Sequence, residues 1–216
     1  MKTTTHHLSL SRLPVRRSTL QTGFSLVEVL ISIVILSFGL LGMVGLQAAA
    51  IQSNKEARLQ STAGVLAREL AEMMRSNMVV SLGTTAATNP FLVDVRSAGT
   101  PAVMVPSNPS YCLNATNTAV TCTSGIDIAN AQMTEWLARV NSELPGARVV
   151  VCVDAAPFDA GGLPQWGCTA GATATYVVKV GWTRTSTDRS KTNLTPLERV
   201  SAFPPAVVYP VTPGNS

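Results

Sequence analysis

The distribution of hydrophobic residues changes along the chain. Residues Phe24 to Leu46 form an almost uninterrupted apolar run, in which Glu28 is the single charged residue. A helix over these 23 residues is roughly 35 Å long, which is enough to cross the hydrocarbon core of a bilayer. This run therefore predicts a membrane-spanning helix.

Beyond Leu46 the pattern becomes amphipathic. Apolar side chains recur at steps of three and four residues, at Leu59, Ala63, Leu66, Leu70 and Met73. No proline interrupts residues 24–79, which predicts one helix of more than 50 residues. Glycines at 39, 42 and 45 are expected to weaken this helix locally, by up to about 1 kcal/mol each relative to alanine. Small residues at this spacing also suit helix packing, and we expect a mixture of packing and local loosening.

The middle of the chain is less regular. Residues 81–125 have little periodicity and form the expected connecting region, in which 91–95 and 102–105 are either short strands or buried loop. A helical stripe then runs over 131–144 and stops at Pro145 and Gly146. Trp136 lies on this stripe and is expected in the core.

Strand patterns dominate the C-terminal part. Residues 148–153 are apolar and β-branched, and residues 175–184 alternate in polarity. Residues 207–209 predict a short edge strand, because prolines flank it on both sides. A long helix followed by antiparallel strands predicts an α+β fold.

Basic residues are concentrated at the N-terminus. The cationic residues of 1–22 are Lys2, Arg12, Arg16 and Arg17, and this segment contains no acid. Residues 24–216 carry equal numbers of basic and acidic groups, so the net charge of +4 belongs to the N-terminal segment. The sequence pI of about 9.1 is therefore a positive-inside topology signal, and no nucleic-acid partner is expected.

The junction between the basic segment and the apolar run has a distinctive order of residues. Gly23 is followed by the aromatic Phe24, and Glu28 is the fifth residue after the glycine. This order resembles the class III signal of type IV prepilins, in which a prepilin peptidase cuts after the glycine and methylates the new N-terminal residue. The resemblance implies cleavage after Gly23 and N-methylation of Phe24.

The resemblance also implies how the chain is divided. Residues 1–23 would be the cleaved leader, and 24–50 the transmembrane and assembly helix. Residues 51–80 would be the amphipathic half of the same helix, and 81–216 a periplasmic α+β head. The expected fold is the type IV pilin fold, in which the long helix packs on an antiparallel sheet.

Glu28 has two interpretations. A carboxylate costs about 2.5–3.5 kcal/mol at the centre of a membrane and less near its interface. In the first turn of a helix an acid also interacts favourably with the helix dipole and can lie among the lipid headgroups. The resemblance to pilins implies instead that the Glu28 carboxylate meets the Phe24 ammonium of a neighbouring subunit, which favours one packing register.

A weaker resemblance comes from the C-terminal half. The turn at Leu144, Pro145 and Gly146 and the strand from Tyr176 to Trp182 are similar to minor pilins of the PilV type. The implied function is incorporation into a type IV pilus or its tip-priming complex, to promote assembly, with adhesion as a further role. The implied partners are prepilin peptidase, the major pilin and other minor pilins, the inner-membrane assembly machinery and the lipid bilayer. The protein would cross the inner membrane once, with a periplasmic head, before it joins the cell-surface pilus.

Two alternatives remain open. A pseudopilin of a type II secretion system shares the N-terminal signal, although a head with two disulfides favours the pilus. A membrane-anchored periplasmic binding protein or enzyme would instead retain its leader, and its N-terminus would not be a methylated Phe24.

The four cysteines are Cys112, Cys122, Cys152 and Cys168, all in the part expected outside the cytoplasm. Four cysteines allow three pairings, and the sequence leaves all three open. Sequence neighbours are favoured as partners, 112 with 122 and 152 with 168, because each pair closes a short loop. An oxidising periplasm makes disulfides the expected state.

Catalytic chemistry has little support. Both histidines, His6 and His7, precede Gly23, so a processed chain contains no Ser-His or Cys-His system. The cysteines lack the short spacing of a zinc site. Asp154 and Asp159 are expected to be solvated loop acids. We therefore expect no enzymatic activity, cofactor or metal.

Overall fold

The structure is a computed structural model that describes residues 23–114, 120–185, 197–198 and 204–212. The expected leader, apart from Gly23, lies outside the described residues. The chain divides into two compact units, Met1–Ala50 and Ile51–Ser216. The helices are α1 (Leu26–Ser76), α2 (Met78–Ser81) and α3 (Gly125–Glu143). The strands are β1 (Val93–Arg96), β2 (Arg148–Asp154), β3 (Thr175–Gly181), β4 (Arg184–Thr185), β5 (Leu197–Glu198) and β6 (Val207–Val211).

Helix α1 has 51 residues, as the absence of proline predicts. It continues through Gly39, Gly42 and Gly45, so the local loosening expected there is not observed. The physical reason is that each glycine lowers helix stability by only about 1 kcal/mol relative to alanine, which is too little to interrupt a helix that continues on both sides of it. A Cβ atom at any of the three would meet no described atom within 4 Å, so their small size serves no contact within the described chain.

Helix α1 ends at Ser76, before the expected boundary at residue 80. The next residue, Asn77, has a non-helical backbone with φ −121° and ψ 57°. Its side-chain Nδ2 donates a hydrogen bond of 2.7 Å to the carbonyl oxygen of Gly125, the first residue of α3. The break in the helix is therefore tied to the start of the next long helix, with the short α2 following it.

Helix α3 begins six residues earlier than the apolar stripe predicts. Ser124 is its N-cap, and the side-chain oxygen accepts a hydrogen bond from the backbone N–H of Asp127 at 3.1 Å. The Asp127 carboxylate accepts in turn from the hydroxyl and the backbone N–H of Thr123, at 2.7 and 3.1 Å. These hydrogen bonds, chiefly that from the Thr123 hydroxyl, lower the pKa of Asp127. The spacing of Ser124 and Asp127 is that of a capping box, a signal that fixes the helix start.

The main sheet is antiparallel, with strand order β1-β2-β3-β6. Its centre is the pairing of β2 with β3, in which Arg148 lies opposite Gly181 and Asp154 lies opposite Thr175. Strand β6 is at the edge, where Pro210 is tolerated because an edge strand has one side without a pairing partner. Strands β4 and β5 form a separate two-stranded sheet.

The strand predictions hold for the centre of the sheet and need correction elsewhere. The strand predicted over 175–184 is shorter than expected, since β3 ends at Gly181 and residues 182–183 separate it from β4. Of the two short runs left open, the first overlaps β1 over residues 93–95, whereas the second contributes a single bridge between Ala98 and Val103.

The core of the second unit lies between the helices and one face of the sheet. From α1, the buried side chains are Ala63, Leu66, Ala67, Leu70, Ala71 and Met74. Met74 is fully buried where the sequence predicted Met73, which is only partly buried. Trp136 is 0% exposed, and its Nε1 donates a hydrogen bond of 3.1 Å to the carbonyl oxygen of Leu66, so its predicted core position is confirmed. This α+β arrangement confirms the predicted fold class and is consistent with the type IV pilin fold.

The opposite face of the sheet is also covered. Residues 155–172 fold back across it, and the backbone N–H of Ala155 donates to the carbonyl oxygen of Thr169 at 2.8 Å. Lys179 points to this face and is 0% exposed. Its ammonium lies 2.6 Å from Oδ2 of Asp154, which is 1% exposed. The expectation that Asp154 is a solvated loop acid is therefore wrong, because the returning segment excludes water from it.

The buried carboxylate of Asp154 is fully engaged. Its Oδ1 accepts hydrogen bonds of 2.9 Å from the backbone N–H groups of Ala156 and Thr169. Burial raises the pKa of Asp154, but the Lys179 ammonium and these two N–H groups outweigh it, so the pKa lies below its usual value. The carboxylate thus joins the end of β2, the middle of β3 and the returning segment.

This ion pair gives the first prediction. Lys179→Met removes the ammonium and leaves the Asp154 carboxylate buried without its cation. We expect the free energy of unfolding to fall by about 3–5 kcal/mol in urea denaturation of the full chain. The matched control is Arg139→Met, which breaks the partly exposed ion pair with Glu69 and should cost no more than about 1 kcal/mol.

The same variant has an expected pH dependence. The pKa of Asp154 is lower in the folded protein than in the unfolded chain. The ionised carboxylate therefore stabilises the folded protein above about pH 4, and this contribution is lost as the pH falls through the pKa of the folded state. The difference in free energy of unfolding between wild type and Lys179→Met should therefore narrow below about pH 4. A difference that stays constant under acid conditions would contradict a charged pair.

Candidate functional site

The N-terminal motif opens helix α1. Phe24 precedes the first helical residue, Leu26, and its side chain is 83% exposed. The carbonyl oxygen of Ser25 accepts from the backbone N–H groups of Glu28 at 3.0 Å and Val29 at 3.3 Å, which closes the first helical turn. Glu28 consequently lies in that first turn, one turn away from Phe24 along the chain.

Phe24 and Glu28 border the same shallow groove on α1, which is also lined by Val29, Ser32, Ile33 and Leu36. The Glu28 side chain is exposed and has no hydrogen-bond or ion-pair partner among the described residues. By contrast, the hydroxyls of Ser32 and Ser37 donate to the carbonyl oxygens four residues earlier, each at 2.7 Å. The serine hydroxyls are thus hydrogen-bonded within the helix, whereas the carboxylate of Glu28 is available for a cation from outside the described chain.

The apolar part of α1 meets the requirements of a membrane span by length and composition. Its most apolar eighteen-residue window has a mean hydropathy of 2.6, and none of that window is buried. A core helix of the same length would bury one face, so exposure on all sides favours a lipid or helix-bundle environment. The structure therefore places the motif at the start of a membrane-capable helix.

Comparison with known proteins agrees with this geometry. Residues 19–44 match the family model described as the prokaryotic N-terminal methylation motif. The match includes Gly23, Phe24 and Glu28 and supports a protein of the type IV pilin or pseudopilin kind. That family is one of structural proteins and not of enzymes. No curated protein and no solved structure matches the chain.

The two disulfides lie in the second unit. Cys112 is bonded to Cys122, and Cys152 is bonded to Cys168, which are the pairs that the short loops favour. The first joins two cysteines that are 10 positions apart and precede α3, and the second joins β2 to the segment that covers the sheet. Each is expected to contribute about 2–4 kcal/mol by restricting the unfolded chain.

A group of potential metal ligands has another explanation. Cys152, Asp154 and Cys168 lie within reach of one another. However, the two thiols are joined in a disulfide, and the carboxylate is engaged by Lys179 and two backbone N–H groups. The donor atoms that a metal would need are already occupied, so this cluster stabilises the covering segment. Asp159, the other acid considered, accepts from the N–H groups of Gly161 and Leu163 and forms a turn.

Sequence reasoning missed the charged groups on the covered face of the sheet. Asp94 on β1 and Arg148 on β2 form a two-point ion pair, and the Arg148 guanidinium lies 4.5 Å from the centre of the Trp166 ring. These residues are far apart in sequence, and only strand register and the returning segment bring them together. One signal in the sequence could have indicated a covered second face. Lys179 lies between the core residues Val178 and Val180, so its side chain is on the face of the strand opposite to the core.

The disulfide pairs can be checked with trypsin alone. Lysine and arginine are absent between Arg96 and Arg139 and between Arg148 and Lys179, so each tryptic peptide carries both partners of one disulfide. We expect peptides 97–139 and 149–179 from non-reduced protein, each two hydrogen atoms lighter than after reduction. A cross-linked species that contains both peptides would show that the pairing is different.

Proposed function

We propose that this protein is a minor pilin of a type IV pilus, incorporated into the pilus or its tip-priming complex to promote assembly. The observation that carries the proposal is the order Gly23, Phe24 and Glu28 at the start of a helix whose apolar surface is exposed on all sides. The C-terminal similarity to PilV-type minor pilins favours a minor over a major subunit. Display of the head on the surface would then allow adhesion.

Processing is the first step of the proposed mechanism. Prepilin peptidase would remove residues 1–23 at the inner membrane and methylate Phe24. The cationic leader would lie on the cytoplasmic side and the head, residues 81–216, in the periplasm. Two disulfides in the head support an oxidising compartment. Residues 24–50 would hold the processed protein in the bilayer until assembly, with residues 51–80 continuing the helix into the head.

Assembly would transfer α1 from lipid into a bundle of similar helices. Apolar side chains would exchange lipid contacts for helix contacts, while the assembly machinery and the other pilins supply the neighbouring subunits. In that apolar environment an unpaired carboxylate is unfavourable, so the Glu28 side chain would select a register in which it meets the Phe24 ammonium of a neighbour.

A type II secretion pseudopilin is the second candidate, because the methylation motif is shared by both classes. Affinity purification from cross-linked cells separates them: the minor pilin proposal expects pilus subunits among the partners, and the pseudopilin alternative expects secretion-system components. A membrane-anchored periplasmic protein outside both classes would retain residues 1–23.

Gly23→Val tests processing. A peptidase that cuts after this residue needs close access to the backbone, which a β-branched side chain hinders. We expect wild-type protein to begin with methylated Phe24 by intact-mass measurement, and the variant to retain residues 1–23 and remain in the membrane.

Gly39→Val is the matched control for this experiment. Both glycines have open surroundings, with no described atom within 4 Å of the position that a Cβ atom would take, but only Gly23 lies at the cleavage position. The control should be processed normally. A shortened, methylated Gly23→Val protein would contradict the assigned cleavage site.

Glu28→Gln tests the assembly pair, because the amide keeps the shape of the side chain without its charge. We expect processing and membrane insertion to be largely unchanged, since the helix becomes more apolar. Recovery in sheared pili should fall more than about tenfold if a desolvated charge pair worth about 2–5 kcal/mol is lost.

The control for Glu28→Gln is Glu72→Gln, which removes an acid from the same helix where it pairs with Arg75 on the surface. It should leave both the processed fraction and pilus recovery unchanged. If Glu28→Gln is recovered in pili at the wild-type level, Glu28 is only an acid at the helix terminus. If the variant is not processed, Glu28 is instead a residue that the peptidase recognises.

A further inference from the structure

The part of α1 that belongs to the second unit carries an unbalanced set of charges. Each of its acids is paired with an arginine of the same chain: Glu56 with Arg184, Glu69 with Arg139 and Glu72 with Arg75. By contrast, Lys55, Arg58 and Arg68 are exposed and have no hydrogen-bond or ion-pair partner among the described residues. We call these three cations the basic face.

The basic face also contains an apolar position. At about 100° per residue, Arg58 and Arg68 are about 80° apart around the helix axis, so they share one side of α1. Val65 lies on the same side, between the two arginines in sequence, and its side chain is 59% exposed. Burial of this side chain against another protein would be favourable, whereas water or lipid headgroups leave it without an apolar contact.

A second exposed surface has the opposite charge. Glu135 and Glu143 on α3 are exposed and have no hydrogen-bond or ion-pair partner within the part of the chain that the structure describes, and we call them the acidic face. Glu143 is the last residue of α3, where the helix dipole disfavours an acid and no basic residue occurs in the last turn. A cation from another molecule would therefore be stabilising at this position. The small, exposed Ala138 lies between the two acids in sequence.

The two helices run in opposite directions. Asn77 near the end of α1 bonds to Gly125 at the start of α3, whereas Glu69, earlier on α1, pairs with Arg139, later on α3. Two copies whose α1 helices point in the same direction can thus bring the α1 of one copy against the α3 of the other in antiparallel orientation.

The charges of the two faces match in this orientation. Arg58 of one copy is then opposite Glu143 of the other, and Arg68 is opposite Glu135. Ten residues separate the two arginines, or about 15 Å along α1, and eight residues separate the two glutamates, or about 12 Å along α3. Long, flexible arginine side chains can span a difference of about 3 Å.

Both faces belong to one chain, and this selects the partner. An anionic lipid surface would neutralise the basic face but leave the acidic face without a cation. A second copy of the chain satisfies both faces, because it supplies an acidic face for the first basic face and a basic face for the next acidic one.

We propose that the basic face of one copy binds the acidic face of a second copy of this chain, with Val65 covered next to Ala138. The proposal rests on the proposed function, because a common membrane orientation gives the α1 helices the same direction. It adds a contact between heads to the charge pair expected at Glu28. Its test needs neither processing nor pili, so a failure of this contact and a failure of the pilin function remain distinguishable.

The test measures association of the full chain in a membrane. Copies with a donor or an acceptor fluorophore on a C-terminal peptide tag are reconstituted together into phosphatidylcholine vesicles, and energy transfer is titrated against the ratio of protein to lipid. We expect transfer above the level of random proximity. This transfer should weaken between about 50 and 500 mM salt, because exposed charges are screened.

Charge reversal separates this contact from association through the apolar part of α1. The double variant Arg58→Glu, Arg68→Glu makes the basic face acidic, and the double variant Glu135→Arg, Glu143→Arg makes the acidic face basic. Each double variant alone should associate at least about tenfold more weakly than wild type, because like charges then meet. A mixture of the two double variants should regain association, since each reversed face meets its complement.

Two controls accompany these variants. A chain with all four substitutions has the net charge of wild type and should associate with itself like wild type, which excludes attraction between opposite net charges as the cause. Arg96→Glu reverses an exposed cation on β1, outside the basic face, and should leave association unchanged.

Three results would overturn the proposal, with circular dichroism showing that the variants are folded. The first is that the double variants alone associate as strongly as wild type. The second is that neither the mixture nor the fourfold variant regains association. The third is that association requires phosphatidylglycerol in the vesicles, because the basic face then binds lipid headgroups and not a second copy.

Discussion

The constraint on which the molecule depends is the exposed apolar surface of α1 between residues 24 and 46. Side chains such as Phe38 and Leu46 are 72% and 75% exposed, a condition that is unfavourable in water and favourable in lipid or against other apolar helices. A backbone in those surroundings must satisfy its own hydrogen bonds, which accounts for a helix unbroken by three glycines and for serine hydroxyls that bond back to it. Glu28 departs from this rule, because its carboxylate has no hydrogen-bond or ion-pair partner among the described residues.

The second unit meets a different requirement, since both faces of its sheet are covered. Helices cover one face with an apolar core, whereas an irregular segment covers the other and buries charged groups beneath it. Burial of charge is tolerated only with full compensation. The charge of Asp154 is compensated by the Lys179 ammonium and two backbone N–H groups. The charge of Arg148 is compensated by Asp94 and by the indole ring of Trp166. The polar contacts thus fix where the covering segment lies.

The sequence predicts those features that depend on local order. Period and proline placement predict α1, α3 and the central strands, and the spacing from Gly23 to Glu28 predicts the processing motif, which the family match supports. Features assembled from distant segments escape such reasoning. From the alternating pattern alone, Lys179 is expected to face solvent, but a segment that follows β2 covers it. Asp94 contacts Arg148 only because the register of β1 and β2 brings the two residues together. Even the first residue of α3 is predicted by its capping residues, Ser124 and Asp127, and not by its apolar stripe.

The covering segment also has a consequence for sequence variation. Its ends are fixed to the sheet, covalently between Cys152 and Cys168 and by the pairing of Ala155 with Thr169. Within the described residues, by contrast, Asp159 hydrogen-bonds only to Gly161, Gly162 and Leu163 of its own turn. Insertions or replacements at this turn would therefore leave strand register and the buried ion pair undisturbed. The fold thus provides a surface turn whose sequence can vary at the cost of its own local hydrogen bonds alone.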